Sequence, residues 1–174
     1  MASEFDNDSF GGDEFANSAI MRGRDWPALT QFCVIMENRV GSLNQLVRSL
    51  ERYDMRIIAL SIVDTVDVAI ARVMLDHVER ARELFELSGF TFFESEILGV
   101  QLPEEDKPFL AVCSSLLQVE LNVNYMYPLL FRRAGNGAIA LHTDDLDAAS
   151  RVLTDKGFTL LSEDDLKNDD EFFE

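Results

Sequence analysis

An internal repeat narrows the possible folds of this 174-residue chain more than anything else in its sequence. The segment GFTFFE at 89–94 recurs as GFTLLS at 157–162, which is an offset of 68 in the numbering. The segment AIA at 69–71 recurs at 138–140, which is an offset of 69. Between positions 32 and 62, an ungapped offset of 66 carries the apolar residues of the first copy onto apolar residues of the second. Near-constant offsets in three blocks predict two copies of one structural unit.

Both copies show the same alternation of strand and helix patterns. Apolar runs rich in Ile and Val predict strands, and apolar residues spaced by three and four, such as Leu43, Leu46 and Leu50, predict helices. The first copy has predicted strands at 32–36, 55–64, 68–75 and 91–96, and predicted helices at 42–53 and 78–87. The second copy has predicted strands at 97–102, 121–130, 137–142 and 159–162, and predicted helices at 108–118 and 145–156. The order βαββαβ predicts an α+β fold of two ferredoxin-like units, each with an antiparallel sheet and both helices on one face of it.

Two such units leave one face of each sheet and the edge strands uncovered. The units are therefore expected to pack edge to edge or face to face within the chain. Gly99, inside the predicted strand 97–102, is interpreted as a bend where one unit leads into the next.

Charge separates the ends of the chain from its repeats. The formal net charge is -17, and residues 1–20 contain five acidic residues and no basic one, while residues 163–174 contain seven acidic residues and one basic one. The predicted organisation is a flexible acidic tail at 1–27, a first repeat at 28–96, a second repeat at 97–166 and an acidic C-terminal tail at 167–174. Because nucleic acid and anionic membranes bind clustered Lys and Arg, neither is expected as a partner. Without a signal peptide or a long apolar run, the protein is expected in the cytoplasm.

Other motifs argue against catalysis and against a bound metal. The chain has no P-loop, no GxGxxG after a strand and no GxSxG. GGDEF at residues 11–15 matches the signature of diguanylate cyclases, but only ten residues precede it and no strand pattern flanks it, so the match is rejected. His77 and His142 lack partners at metal-ligand spacing, and the apolar runs around Cys33 and Cys113 predict buried thiols in a reducing compartment. We therefore expect no enzyme activity, no catalytic residues, no metal and no cofactor.

Residues 32–43, with the sequence FCVIMENRVGSL, resemble the opening of an ACT domain, the small ligand-binding module of amino-acid metabolism. The usual pattern is an apolar strand followed by Glu-Asn-x-Pro-Gly-x-Leu and the first helix, and here Val40 takes the place of the common proline. Residues 57–64 look like the second ACT strand, and residues 122–130 look like its counterpart in the second copy. Over about residues 30–166 the chain is similar to stand-alone bacterial proteins made of two ACT repeats. Its first repeat is also similar to the start of the regulatory subunit of acetolactate synthase.

The resemblance implies a regulatory protein that binds a small molecule, usually an amino acid, where the loop between strand one and helix one meets a neighbouring ACT unit. The N–H groups and the partial positive charge of a helix N-terminus suit a carboxylate, and a glycine lets the backbone approach it closely. The residues matched to this loop are the predicted ligand-binding residues: Asn38, Arg39, Val40, Gly41, Ser42 and Leu43. The second-strand residues of the other repeat are expected to line the pocket from across the interface. The implied partners are a free amino acid, a second copy in a homodimer and a biosynthetic enzyme such as acetolactate synthase.

The second copy departs from this loop pattern. At the same offset of 66, Lys107 takes the place of Gly41, and Pro108 takes the place of Ser42. Glu104 takes the place of the asparagine, and the loop gains further acidic residues that repel a ligand carboxylate. One competent site per chain is therefore expected, in the first repeat.

Simpler interpretations stay open for the same residues. Gly41 is equally consistent with a glycine that only permits the turn, Asn38 with a turn cap and Arg39 with a solvated charge. Tyr125 and Tyr127 share one face of a strand, and burial in the core or an interface is favoured over a pocket role. The alternative function is a ligand-free protein–protein interaction module that self-associates through its sheets.

Overall fold

The computed structural model describes residues 26–133 and 135–167, apart from the side chains of Phe131 and Arg133. The GGDEF sequence, most of the predicted N-terminal tail and nearly all of the predicted C-terminal tail lie outside these ranges. None of the helices in the two ranges combines the length and the apolar character that a membrane span requires.

The predicted order of strands and helices is confirmed in both copies. The strands are β1 (Leu29–Glu37), β2 (Ile57–Asp64), β3 (Val68–Leu75), β4 (Thr91–Gln101), β5 (Val123–Arg133), β6 (Asn136–Thr143) and β7 (Leu160–Leu161). The helices are α1 (Ser42–Arg52), α2 (Val78–Leu87), α3 (Pro108–Leu117) and α4 (Leu146–Asp155), and a short 3-10 helix follows at Asp165–Lys167. One prediction is wrong: the two consecutive strands expected at 91–96 and 97–102 are a single strand, β4.

Strand β4 belongs to both sheets. Residues 91–97 pair antiparallel with β1, and residues 98–101 pair antiparallel with β6. The strand order is β2-β3-β1-β4 in the first repeat and β5-β6-β4-β7 in the second. The two repeats therefore have the same antiparallel topology, with the second half of β4 serving as the first strand of the second repeat.

Gly99 lies where β4 passes between the two repeats. A Cβ atom at this position would clash with the side chain of Leu29 and would lie 3.0 Å from the Cβ of Leu161. Both leucines are fully buried, and β4 continues through Gly99 with strand partners on both sides. Close packing, and not the bend inferred from the sequence, is what requires a glycine here.

Apolar side chains form three buried layers. One lies between the first sheet and helices α1 and α2, and another lies between the second sheet and helices α3 and α4. The third lies between the two sheets, where β2 contacts β5, and includes Leu29, Ile58, Met74, Ile97, Leu129 and Leu161. The repeats thus pack face to face, one of the two expected arrangements, with the helices outside. The sheet faces considered for self-association largely cover each other within the chain.

Trp26 packs with the second repeat, although the sequence analysis placed it in the N-terminal tail. Its side chain is buried in the layer below α3 and α4. Its indole N–H donates a hydrogen bond to the carboxylate of Asp147 on α4. Burial of so large a side chain with a partner for its polar group fixes the chain just before β1.

Candidate functional site

The loop between β1 and α1 contains the residues predicted to bind a ligand. Ser42 is the first residue of α1, and Gly41 precedes it with φ 96° and ψ -14°, in the left-handed region that glycine adopts without strain. No side chain among the described residues caps this helix. First-turn N–H groups of α1 are therefore left for solvent or a ligand.

Asn38 ties this loop to the turn between β2 and β3. Its Nδ2 donates to the backbone oxygen of Thr65 at 2.8 Å, and its backbone N–H donates to the oxygen of Asp67 at 3.0 Å. These two hydrogen bonds hold the end of β1 against its own repeat. The side chain therefore has the structural role that the sequence analysis left open as an alternative to ligand contact.

The rest of the loop is open to solvent. Arg39 forms an exposed ion pair with Glu37, with 2.5 Å between Nε and Oε2. Val40 is fully exposed, whereas Ser42 and Leu43 are half-buried at the start of α1. The outer side of the loop is thus available to a ligand or to another protein unit.

A shallow, solvent-open groove of about 440 Å³ lies along the exposed side of α1, and its lining residues all belong to this helix or to Gly41 before it. It is lined by Gly41, Asn44, Gln45, Arg48, Ser49 and Arg52. Gly41 is the member of the predicted set that lines it. The sequence analysis missed the others, although Asn44, Arg48 and Arg52 follow one another at a spacing of four, which places them in one polar stripe of the helix.

The groove beside α1 is cationic. Arg48 and Arg52 are exposed, and within the described ranges neither forms an ion pair. The N-terminus of α1 adds the partial positive charge of its unpaired N–H groups. Arg48 lies about 9 Å and Arg52 about 15 Å along the helix axis from Ser42. The helix N-terminus and Arg48 together favour an anionic group such as a carboxylate, and Arg52 extends the positive charge along the helix.

The second repeat has a groove of about 460 Å³ at the equivalent place, beside the N-terminus of α3. It is lined by Glu105, Asp106, Lys107, Leu110, Ala111 and Ser114. With the offset of 66 between the copies, Lys107 corresponds to Gly41 and Ser114 corresponds to Arg48. Two carboxylates and one ammonium group thus replace two guanidinium groups, and the carboxylates oppose an anionic ligand.

Tyr125 and Tyr127 on β5 face the first sheet, as expected from their alternation, and their rings stack 6.4 Å apart. The Nε2 of Gln31 donates to the Tyr125 hydroxyl at 2.7 Å, and the Tyr127 hydroxyl donates to Oε1 of Gln31 at 2.6 Å. Gln31 lies seven residues before Asn38 along β1, a distance of about 23 Å on an extended strand. Tyr125 and Tyr127 therefore do not line the loop within one chain, and the expectation that second-strand residues of the second repeat line the pocket stays a prediction.

Metal-ligating side chains do not gather in the described part of the chain. No group of three or more His, Cys, Asp or Glu side chains in these ranges is placed to hold a metal ion. Both cysteines are free thiols. Cys33 is buried as predicted, and burial raises its pKa, whereas Cys113 is only half-buried.

Comparison with known families settles the relationship that the loop and the topology indicate. The family model of the ACT domain pair matches residues 28–169. This chain belongs to the ACT domain pair family. The resemblance inferred from residues 32–43 and the two ferredoxin-like units are thereby confirmed. ACT domains are ligand-binding regulatory domains that often sense amino acids.

One solved structure shares this fold. Protein BT0572 from Bacteroides thetaiotaomicron matches with a TM-score of 0.73 and 21% identity, over 81% of this chain and 96% of that chain. The ligand-free regulatory subunit of aspartate kinase from Thermus thermophilus matches with a TM-score of 0.47 and 12% identity, over 75% and 93% of the two chains. No curated protein sequence matches the chain.

Proposed function

We propose that this ACT domain pair is a regulatory sensor that binds a free amino acid beside the β1–α1 loop of the first repeat. The observation that carries the proposal is the cationic groove that begins at Gly41. The ligand carboxylate would accept hydrogen bonds from first-turn N–H groups of α1 and pair with Arg48. The amide oxygens of Asn44 and Gln45 would accept hydrogen bonds from the ligand ammonium group.

The loop residues would take unequal parts in this site. Asn38 positions the loop through its hydrogen bond to Thr65. Gly41 lets the ligand approach the backbone, because no other atom lies within 4 Å of the place where its Cβ would be. Leu43 would supply a backbone N–H, whereas the N–H of Ser42 already donates to the oxygen of Arg39 at 3.3 Å.

A second copy of the chain would complete the site in this proposal. The groove is open on its outer side, and the second repeat of the same chain packs against the opposite face of the first sheet. A homodimer in which the partner covers Val40 would enclose the amino acid and couple its binding to assembly. The proposed target of this change is an amino-acid biosynthetic enzyme such as acetolactate synthase.

A thermal-shift screen against the common amino acids tests the site. We expect one amino acid, or one chemical group of them, to raise the Tm of the wild type, because a ligand that binds only the folded state stabilises it. Arg48→Glu should abolish this response. Arg151→Glu makes the same charge change at an exposed position on α4 of the second repeat and should retain it. A wild type that no amino acid stabilises, or an Arg48→Glu variant that responds like the wild type, contradicts the proposal.

Light scattering with and without the amino acid from that screen tests the role of a second copy. The expected result is a dimer whose population rises when the amino acid is added. Val40→Lys places a charge on the fully exposed side chain of the loop and should weaken the dimer. A protein that stays monomeric at saturating amino acid contradicts this part of the proposal.

A further inference from the structure

The layer between the two sheets contains polar side chains in addition to its apolar core. Gln31 is fully buried there, and its amide forms hydrogen bonds with the hydroxyl groups of Ser95, Tyr125 and Tyr127 at 2.7, 2.7 and 2.6 Å. This network satisfies both ends of the amide, as a buried polar group requires. Tyr125 also contacts Arg72, whose N–H donors, unlike the amide of Gln31, have no hydrogen-bond partner in the described part of the chain.

Arg72 on β3 is half-buried, and its guanidinium carbon lies 4.1 Å from the centroid of the Tyr125 ring. A guanidinium group has five N–H donors, and contact with the face of a ring does not use them in hydrogen bonds to oxygen. Within residues 26–133 and 135–167, no side chain or backbone group forms a hydrogen bond or ion pair with Arg72. A partly buried cation with unused donors is unfavourable alone and is suited to an anion.

Apolar side chains lie near Arg72 on the same face of the first sheet. In the strand register, Ser61 and Cys33 lie directly beside Arg72, and Phe93 lies beyond Cys33 in the same row. The next row on that face contains Val63, Ile70, Ile35 and Thr91. The exposed fractions of Ile35, Val63 and Phe93 are 37%, 44% and 49%, so the second repeat leaves this end of the sheet uncovered. We refer to Arg72, Phe93, Val63, Ile70 and Ile35 together as the Arg72 shelf.

The shelf combines one fixed positive charge with an apolar surface about 14 Å wide, three strand spacings from β2 to β4. Tyr125 also stacks on His142, with ring centroids 4.9 Å apart. Burial and the charge of Arg72 lower the pKa of His142, so this ring adds no second positive charge at neutral pH. The surface therefore offers a single anion-binding group beside a place for a hydrocarbon chain.

We propose that the Arg72 shelf binds a small apolar carboxylate, with the carboxylate on the edge of the guanidinium and the hydrocarbon part on Ile35, Val63 and Phe93. None of the five shelf residues carries a carboxylate, so the shelf itself offers no partner for a ligand ammonium group. We therefore take the ligand as an acid without an α-amino group. The shelf lies on the face of the first sheet opposite to helix α1, so this site is separate from the groove of the proposed amino-acid site.

Three probes with one carbon skeleton test the proposal by calorimetry and by NMR of the His142 ring: 3-phenylpropanoate, its neutral amide and L-phenylalanine. We expect the wild type to bind 3-phenylpropanoate with a shift of the His142 signals, and to bind the amide at least about tenfold more weakly, because the amide lacks the charge. L-phenylalanine should also bind this site more weakly than 3-phenylpropanoate.

Arg72→Gln should lose at least about tenfold in affinity for 3-phenylpropanoate. Arg72→Lys keeps the positive charge but loses the planar guanidinium group with its paired N–H donors, so it should lose less affinity than Arg72→Gln. Phe93→Ser should also weaken binding, and Arg132→Gln, which removes an exposed arginine on β5, should bind like the wild type. Thermal melting of each variant shows that a loss of binding is not a loss of folding.

Several results would overturn the proposal: no binding of 3-phenylpropanoate by the wild type, equal binding of the acid and its amide, or unchanged binding by both Arg72 variants. A wild-type dimer that binds no probe and becomes monomeric with Phe93→Ser would assign the shelf to a second copy of the chain instead.

Discussion

The grooves beside α1 and α3 occupy equivalent places in the two repeats, yet their chemistry is opposite. Arg48 and Arg52 make the first groove cationic, whereas Glu105 and Asp106 make the second mainly anionic. The backbone of the repeat places a groove at the start of its first helix in both copies. A few exposed side chains then decide the charge of that groove, so duplication of a fold does not duplicate the chemistry of its surface.

The two repeats also differ in the layer beneath their helices. In the first repeat, the ring of Phe85 lies 5.1 Å from Phe32, 5.4 Å from Phe92 and 6.0 Å from Phe90, measured between centroids. With the offset of 68 that relates the later parts of the copies, the equivalent of Phe85 in the second repeat is Leu153, in a mainly aliphatic layer that also contains Trp26 and the partly buried Phe158. The same architecture is thus filled around this position by aromatic pairs in one copy and mainly by aliphatic side chains in the other.

The largest effect is expected from truncating these equivalent core residues. Phe85→Ala should lower the free energy of unfolding by about 3–5 kcal/mol, and Leu153→Ala should lower it by about 2–4 kcal/mol. The first loss is larger because three ring contacts disappear with the side chain. Urea unfolding of both variants measures the difference, with Leu87→Ala on the exposed side of α2 as a control near zero. A larger loss at Leu153 would reverse the comparison of the two layers.

The loops differ in backbone as well as in charge, since Gly41 has φ 96° and Lys107 has φ -134°. Gly41→Ala should destabilise the protein by about 1–2 kcal/mol through left-handed strain alone, because no atom lies within 4 Å of the added Cβ. Gly137→Ala is the matched control, because its Cβ meets only Leu102 at an ordinary 3.8 Å, and it should change the free energy of unfolding by much less.

Gly41→Ala also separates the two interpretations of this glycine. If it only permits the turn, the amino acid from the screen should raise the Tm of this variant as much as that of the wild type. If the ligand approaches the backbone there, the added methyl group should reduce that rise as well.

A smaller effect is expected at the start of α3. Lys107 occupies the position before this helix and forms no capping hydrogen bond through its side chain. Lys107→Asn should stabilise the protein by about 0.5–1 kcal/mol, because it supplies a cap and removes a positive charge from a helix N-terminus. Chemical unfolding measures the gain, and a neutral or negative result would mean that Lys107 offsets the nearby acidic residues instead.

The smallest effect is expected on the pH dependence of stability that arises from His142 in the second repeat. Burial first, and then repulsion by Arg72, hold the pKa of His142 below the ordinary histidine value, while Asp144 acts in the opposite direction. The unfolded state therefore takes up this proton at a higher pH than the native state, and stability is lost as the pH falls through the histidine range. Arg72→Gln should raise the pKa of His142 and reduce this loss. An NMR titration of the His142 ring in the wild type and the variant checks it, and an unchanged or lower His142 pKa would contradict it.

Much of the fold was predictable because it depends on short-range patterns that both copies carry. The apolar spacing of α1 and the alternation of the strands produced the correct order of elements, and the alternation of Tyr125 and Tyr127 correctly placed both side chains on one face. The continuity of β4 was not predictable, because a glycine inside a predicted strand resembles a break. A glycine is required at position 99 because the side chain of Leu29, seventy residues away along the chain, approaches it closely.

The candidate site was predictable only in part. Gly41 was found because its motif is local, and it does line the groove. Arg48 and Arg52 were missed because exposed arginines on a helix look alike in sequence unless a groove beside them is known. Arg72 was missed for a different reason: its place depends on Tyr125, which a distant part of the chain brings to it.

The shared strand has a consequence for how the protein can move. Ile97 pairs with β1 and the next residue, Leu98, pairs with β6, so the two repeats are joined without any linker. A duplicated protein of this kind has no hinge between its halves, and both should unfold in a single cooperative transition. If a ligand binds one repeat, its effect is therefore expected in the packing within the molecule or between molecules, because no flexible linker lets one half swing relative to the other.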